Sequence, residues 1–129
     1  MILLDTHVVL WVAQVPELLS RNAGLAIQEE RQRDGLGISD KSLWELAMLV
    51  CQGRMGVNTS LLDFLREVER NFIVFPVTSA IADRAVSFSA QYPKDPADRI
   101  IGATALVHGL KLVTKDGQIH ASGEVPVIW

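Results

Sequence analysis

The run DPADRIIGATALVHGLKLVT, residues 95–114, contains in one stretch the unit from which the fold is built. Pro96 has its φ preset for the first position of a helix, and it lacks only an N–H that this position leaves unpaired. Asp95 before it can accept hydrogen bonds from the open N–H groups of the first turn. Small and apolar residues then follow at helical spacing to His108, and Gly109 can take the left-handed conformation that ends a helix. Lys111, Leu112, Val113 and Thr114 make a short strand.

The same alternation continues in both directions from this stretch. Residues 2–4 are a brief buried strand, and residues 7–13 a short helix before the Pro16 turn. Ser20 caps a helix to about Arg33, closed by Gly35, and residues 36–39 are a second strand. Asp40 caps a helix that carries Leu43, Leu46, Ala47 and Val50 and ends at Gly53; Asn58 or Thr59 opens another through Arg70. The β-branched and aromatic residues 72–75 are a third strand, and Thr78 starts a helix to about Gln91. Beyond residue 114, residues 116–121 read as a turn or short helix and residues 125–128 as a last strand. Strands separated by helices must be joined by crossovers, which makes them parallel. The expectation is one α/β domain over residues 1–129, a parallel sheet of about five strands sandwiched by helices.

Composition agrees. A chain of 129 residues buries roughly two-thirds of its unfolded surface, so one core suffices. With 49% apolar residues it can offset the entropy of ordering, which excludes a disordered chain. Its single cysteine, Cys51, excludes an internal disulfide and a cysteine-based zinc site, and is expected to be buried packing. The sequence opens on Met1-Ile2-Leu3-Leu4-Asp5 with no basic leader, and no apolar run nears the ~18 residues of a membrane helix. A soluble, cytoplasmic protein without a membrane partner is expected. Twelve basic against fifteen acidic residues give a net charge of −3, which on its face disfavours nucleic acid.

The distribution of the acids qualifies that inference. Asp5 follows the first strand, Glu45 lies early in the helix after the second, Asp98 is in the first turn of the helix at Pro96, and Asp116 follows the strand ending at Thr114. In a parallel sheet these positions share the carboxyl edge, where ligands bind. Each acid has an ordinary alternative. Asp98 can pair with the cap at Asp95, Glu45 can be a solvated helix residue, and Asp116 can make a turn with Gly117. Asp5 is harder to dismiss, because it interrupts a buried run where an unpaired charge costs several kcal/mol. Crowded carboxylates need cations, and all-oxygen ligation selects Mg²⁺ or Mn²⁺. Such ions serve phosphodiester hydrolysis well. Thr6, Ser42 and Thr114 stand beside these acids as supporting hydroxyls, able to orient a carboxylate or donate to phosphate.

The blocks LLDTHVVLW (residues 3–11), SLWELAML (42–49) and DPADRIIGATALVHGLKLVTKDGQI (95–119) resemble those of a PIN domain, and most of all the VapC-type toxin ribonucleases of type II toxin–antitoxin modules. The resemblance spans essentially the whole chain. It implies an acidic site at Asp5, Glu45, Asp98 and Asp116 that holds Mg²⁺ or Mn²⁺ and hydrolyses RNA, with Asp95 as a cap. It also implies a homodimer and a cognate antitoxin seated in the active-site groove. The segment at Lys115-Asp116-Gly117 departs most from the family pattern, which bears on Asp116.

Other residues carry weaker signals. His7, His108 and His120 are too scattered for a metal triad and read as structural. Trp11 and Trp44 pack the core or a partner-facing surface, and Trp129 covers the sheet end. The helices at residues 60–70 and 78–91 read as core, with an interface role as the alternative. Arg31, Arg33, Arg66, Arg70, Arg99 and Lys115 are candidates for an RNA footprint, since metal bound at the acids would offset the negative net charge.

Other phosphate chemistries fail at specific positions. A receiver domain needs an acid where residues 72–75 run into Pro76-Val77-Thr78. An aspartate-nucleophile phosphatase needs a second Asp where His7 stands, and no P-loop is present. A non-catalytic or degenerate PIN-fold interaction module stays open as the alternative.

Overall fold

Five hydrogen-bonded strands order the chain, and each connection between them contains helix. The structure is a computed structural model and describes residues 1–129. Strand β1 (Ile2–Leu4) leads into α1 (Thr6–Gln14), a 3-10 turn (Pro16–Leu18) and α2 (Arg21–Gln32). Next come β2 (Leu36–Ser39), α3 (Asp40–Cys51), α4 (Leu61–Asn71) and β3 (Ile73–Phe75). The last third holds α5 (Ser79–Val86), α6 (Pro96–Val107), β4 (Leu112–Val113), α7 (Gly117–Ser122) and β5 (Val127–Ile128).

The sheet order is β3-β2-β1-β4-β5, and every pair is parallel. Because side chains alternate across a strand, the buried strands feed two cores. Ile2, Leu4, Leu36, Ile38 and Val113 join Val8, Val9, Ala23, Ile27, Leu46 and Val68 on one face. Leu3 and Leu112 join Ile81, Ala85, Phe88, Tyr92, Ile101, Ala103 and Ile119 on the other. The sheet is therefore covered on both sides, as near-continuous apolar strands require. No helix is long and apolar enough to cross a membrane.

The order also creates a topological switch. From β1 the chain moves outward to β2 and β3, then returns to place β4 on the other side of β1. The connections leaving β1 and β4 diverge, and a crevice opens between them at the carboxyl edge.

Several boundaries differ from the sequence reading. Ser39 rather than Asp40 caps α3, its Oγ accepting from the Lys41 N–H at 3.1 Å. Asp40 instead accepts from the Val77 N–H at 3.2 Å, across to the chain beyond β3. Ser60, not Asn58 or Thr59, caps α4 by accepting from the Asp63 N–H. Helix α5 stops at Val86 rather than Gln91 because Phe88 and Tyr92 turn into the core and stack, ring centroids 3.9 Å apart. Arg99 compensates the lost helical bonds, donating to the carbonyls of Pro93 (2.9 Å), Phe88 (3.2 Å) and Ser89 (3.2 Å). Buried backbone acceptors need such partners, so Arg99 belongs to this loop and not to an RNA footprint. Cys51, expected in the core, is exposed at the last residue of α3. Strand β3, rich in apolar residues, proves to be an edge strand with Ile73 exposed.

Small residues in α6 decide how closely this loop approaches. Tyr92 is fully buried, and its hydroxyl donates to the Asp98 carbonyl at 2.9 Å. A Cβ on Gly102 would lie 2.1 Å from that hydroxyl oxygen. Gly102→Ala is expected to cost about 1–3 kcal/mol by overpacking, read as a lower urea midpoint. An unchanged midpoint would show that the Tyr92 ring does not depend on this contact.

Candidate active site

Asp5 ends the buried run of β1 and is itself only 5% exposed. Its position as N-cap of α1 explains how the charge is tolerated. The Thr6 N–H donates to Oδ1 at 2.8 Å, and Thr114 Oγ1, after β4, donates to Oδ2 at 2.7 Å. His7 Nδ1 stands 3.6 Å from the same Oδ2, while its Nε2 accepts from the Lys115 N–H at 3.1 Å. The two diverging connections at the switch point are thereby tied together.

Glu45 enters from α3. Its Oε1 accepts from Thr6 Oγ1 at 2.6 Å, and Thr6 Oγ1 lies 2.9 Å from the fully buried Ser42 Oγ. A hydroxyl has one proton to give, so Thr6 donates to Glu45 and Ser42 donates to Thr6. Asp98 stands in the first turn of α6, where Asp95 caps the helix by accepting from the Ala97 N–H at 2.8 Å.

Asp5, Glu45 and Asp98 line one cleft of about 440 Å³, together with Thr6, His7, Trp44, Met48, Gln52 and Arg54. Asp116 does not line it. Its Oδ1 accepts from the Gln118 and Ile119 N–H groups at 2.8 and 3.0 Å, capping α7, and its own N–H donates to Thr114 Oγ1 at 3.1 Å. Asp116 is thus one hydrogen-bonded residue away from Asp5.

Crowding has an electrostatic signature. Burial pushes the Asp98 carboxyl up to about 7, and the charges of Asp5, Asp95, Asp116 and Glu45 add to the shift. Burial also raises Glu45; the Thr6 hydrogen bond opposes this, and the Asp5 charge adds to it. Both groups are short of positive partners. Three or more of these side chains do not converge tightly enough to form a closed ligand shell. The arrangement is an open set of oxygen donors, which fits an ion held by one or two carboxylates plus water and phosphate oxygens.

Trp44, Met48, Gln52 and Arg54 escaped the sequence reading as cleft residues. Trp44 and Met48 face the cleft by helical spacing on α3, a signal present in the sequence but indistinguishable from a core stripe. The expected basic footprint does not gather here. Arg33 pairs with Glu29 at 3.2 Å, Arg70 pairs with Glu67, and Arg54 is the one arginine or lysine lining the cleft.

Residues 2–124 match the PIN domain family, so a parallel α/β fold with acids at its switch point has a recognised class. The chain belongs to the PIN domain family. It is 37% identical to Ribonuclease VapC22 of Mycobacterium tuberculosis (strain ATCC 25618 / H37Rv) over 120 residues, 93% of this chain and 90% of that protein. Its fold is similar to VapBC2 from Rickettsia felis bound to a DNA fragment from their promoter, with a TM-score of 0.74, 12% identity, and 98% and 97% of the two chains covered. FitAcB from Neisseria gonorrhoeae is similar at a TM-score of 0.69 and 23% identity, over 98% and 96% of the chains.

The raised Asp98 carboxyl has a consequence for stability. The unfolded chain loses this proton near pH 3.8 and the folded protein near pH 7, so the folded state holds more protons in between. Metal-free stability therefore falls as pH rises through that window. Asp98→Asn should melt above wild type at pH 8 in EDTA, by about 1 kcal/mol once discounted for partial exposure. A variant melting at or below wild type there would contradict the cost of burying this carboxylate among other acids. Thr6→Val, which strands the buried Ser42 hydroxyl and frees Glu45, should lose about 1–3 kcal/mol in the same assay.

Proposed function

We propose that this chain is a Mg²⁺- or Mn²⁺-dependent endoribonuclease, the toxin of a type II toxin–antitoxin pair that acts in the cytoplasm. The observation that carries the reading is the convergence of Asp5, Glu45 and Asp98 on one open cleft at the switch point. Similarity to a VapC ribonuclease over nearly the whole chain supports the choice of RNA. A similar fold in a toxin-antitoxin complex from Klebsiella pneumoniae supports a protein partner of antitoxin type, and the family resemblance supports a homodimer.

Each protein group has a definite task in this mechanism. Asp5 offers the cleft whatever lone pairs its bonds to Thr6 and Thr114 leave, and those bonds hold its plane fixed. Ser42 and Thr6 fix Glu45 in the same way. Asp98 carries no side-chain hydrogen bond to satisfy its charge, so it gains most from a cation. A bound Mg²⁺ or Mn²⁺ supplies Lewis acidity toward the scissile phosphate and toward water. Asp116 holds the β4–α7 turn and contributes charge from outside the cleft.

Cleavage of single-stranded RNA in Mg²⁺ or Mn²⁺ tests this. Asp5→Asn and Asp98→Asn should each lower the rate at least ~100-fold with circular dichroism unchanged, because each removes a ligand and its charge. Asp116→Asn keeps a good helix cap and should lose less, about 10-fold. Cleavage that persists in chelator, or in both of the first two variants, would sink the mechanism. A wild type inert on RNA at every divalent concentration would sink the activity.

A further inference from the structure

Helix α3 presents more than Glu45 to the cleft. Trp44, Met48 and Gln52 recur at intervals of four and so share a face that runs along the rim. Trp44 is 55% exposed, an uncommon state for the largest apolar side chain. Lys41, three residues earlier, holds its ammonium 4.2 Å from the centre of the Trp44 ring.

The helix then ends in a way that aims a second cation at the same place. Gly53 adopts φ +70° and its N–H donates to the Val50 carbonyl at 3.1 Å, while the Arg54 N–H donates to the Leu49 carbonyl at 2.9 Å. This pair of bonds is a Schellman closure, which reverses the chain in a single residue. It returns Arg54 to the cleft wall. Arg54 makes no ion pair, although carboxylates line the same cleft.

We propose that Trp44 and Arg54 form a nucleotide subsite beside the carboxylates, in which Trp44 stacks a base next to the cleaved bond and Arg54 pairs with its phosphate. The inference rests on the ribonuclease reading and adds to it how the substrate is held. A flat ring with one cation against it and another on the same cleft wall suits a base and its backbone; an apolar protein face would want no such charges. Guanidinium matches phosphate geometry, and its freedom from carboxylates leaves that fork available. Only an unpaired base can reach the ring, so the substrate class is single-stranded RNA. The volume of about 440 Å³ lies within the range of small-ligand clefts.

The test is steady-state cleavage, in Mg²⁺ or Mn²⁺, of a short RNA with one cut site. It is compared with RNAs made abasic at the nucleotide on either side of that site. Trp44→Ala should raise KM about 10-fold, with kcat within about threefold, and Trp44→Phe should recover most of the loss. Removing the stacked base should raise KM similarly for wild type but add little to Trp44→Ala, since both changes delete the same contact. Arg54→Ala should raise KM for every sequence and reduce the salt dependence by about one phosphate contact. Wild-type KM in Trp44→Ala, or base and ring effects that simply multiply, overturns the subsite while the ribonuclease reading stands. A wild type that cuts no RNA overturns both.

Discussion

The bond from Thr114 Oγ1 to Asp5 Oδ2 is the constraint on which the site depends. It joins the ends of two adjacent strands whose connections leave in opposite directions, so it spans the opening that the topology creates. Thr114 is fully buried and also receives the Asp116 N–H, which ties Asp5 and Asp116 at the carboxyl edge to one hydroxyl. On the other side, the Asp5–Thr6 dipeptide passes the constraint to Glu45 and Ser42. Positions far apart in sequence are thereby set to within a hydrogen bond of one another. Such short, buried bonds fix orientation more than they add net stability.

The same region works against the stability of the fold. Burial and mutual repulsion push the Asp98 and Glu45 carboxyls up, which is the reverse of what a carboxylate placed for stability shows. Elsewhere the chain manages its acids conventionally. Asp95 and Asp116 cap helices, and Glu29 and Glu67 pair along helix surfaces. The cleft is where its acids conflict with burial, and sites of that kind are where function is expected to work against folding. The packing of Tyr92 against Gly102 acts as a counterweight, anchoring the first turn of α6 through the Asp98 carbonyl while its side chain bears the repulsion.

Net charge is a poor guide to ligand here. The value of −3 includes acids gathered in one cleft, where a bound cation would invert the local field. The arginines that looked available in the sequence are largely committed. Arg99 satisfies carbonyls of a loop that would otherwise be helix, and Arg33 and Arg70 face their own helices. Arg54, unremarkable in the sequence, is the one delivered to the cleft, by a glycine that reverses the chain.

Much of the architecture was legible without coordinates. Helix starts at Ser20, Thr78 and Asp95 and the stop at Gly109 depend on local backbone chemistry, and the alternation of short strands with helices requires a parallel sheet. Placement of Asp5, Glu45 and Asp98 on one edge follows from that same periodicity. Tertiary structure alone decided what local pattern leaves open. It ended α5 at Val86, because Phe88 and Tyr92 gain more from stacking in the core than from continuing a helix. It made β3 an edge, exposed Trp44 and Cys51, and turned Asp116 to its own helix end. Local propensity is set within a few residues of the chain, whereas burial and the choice of partner are set by the chain that packs against it.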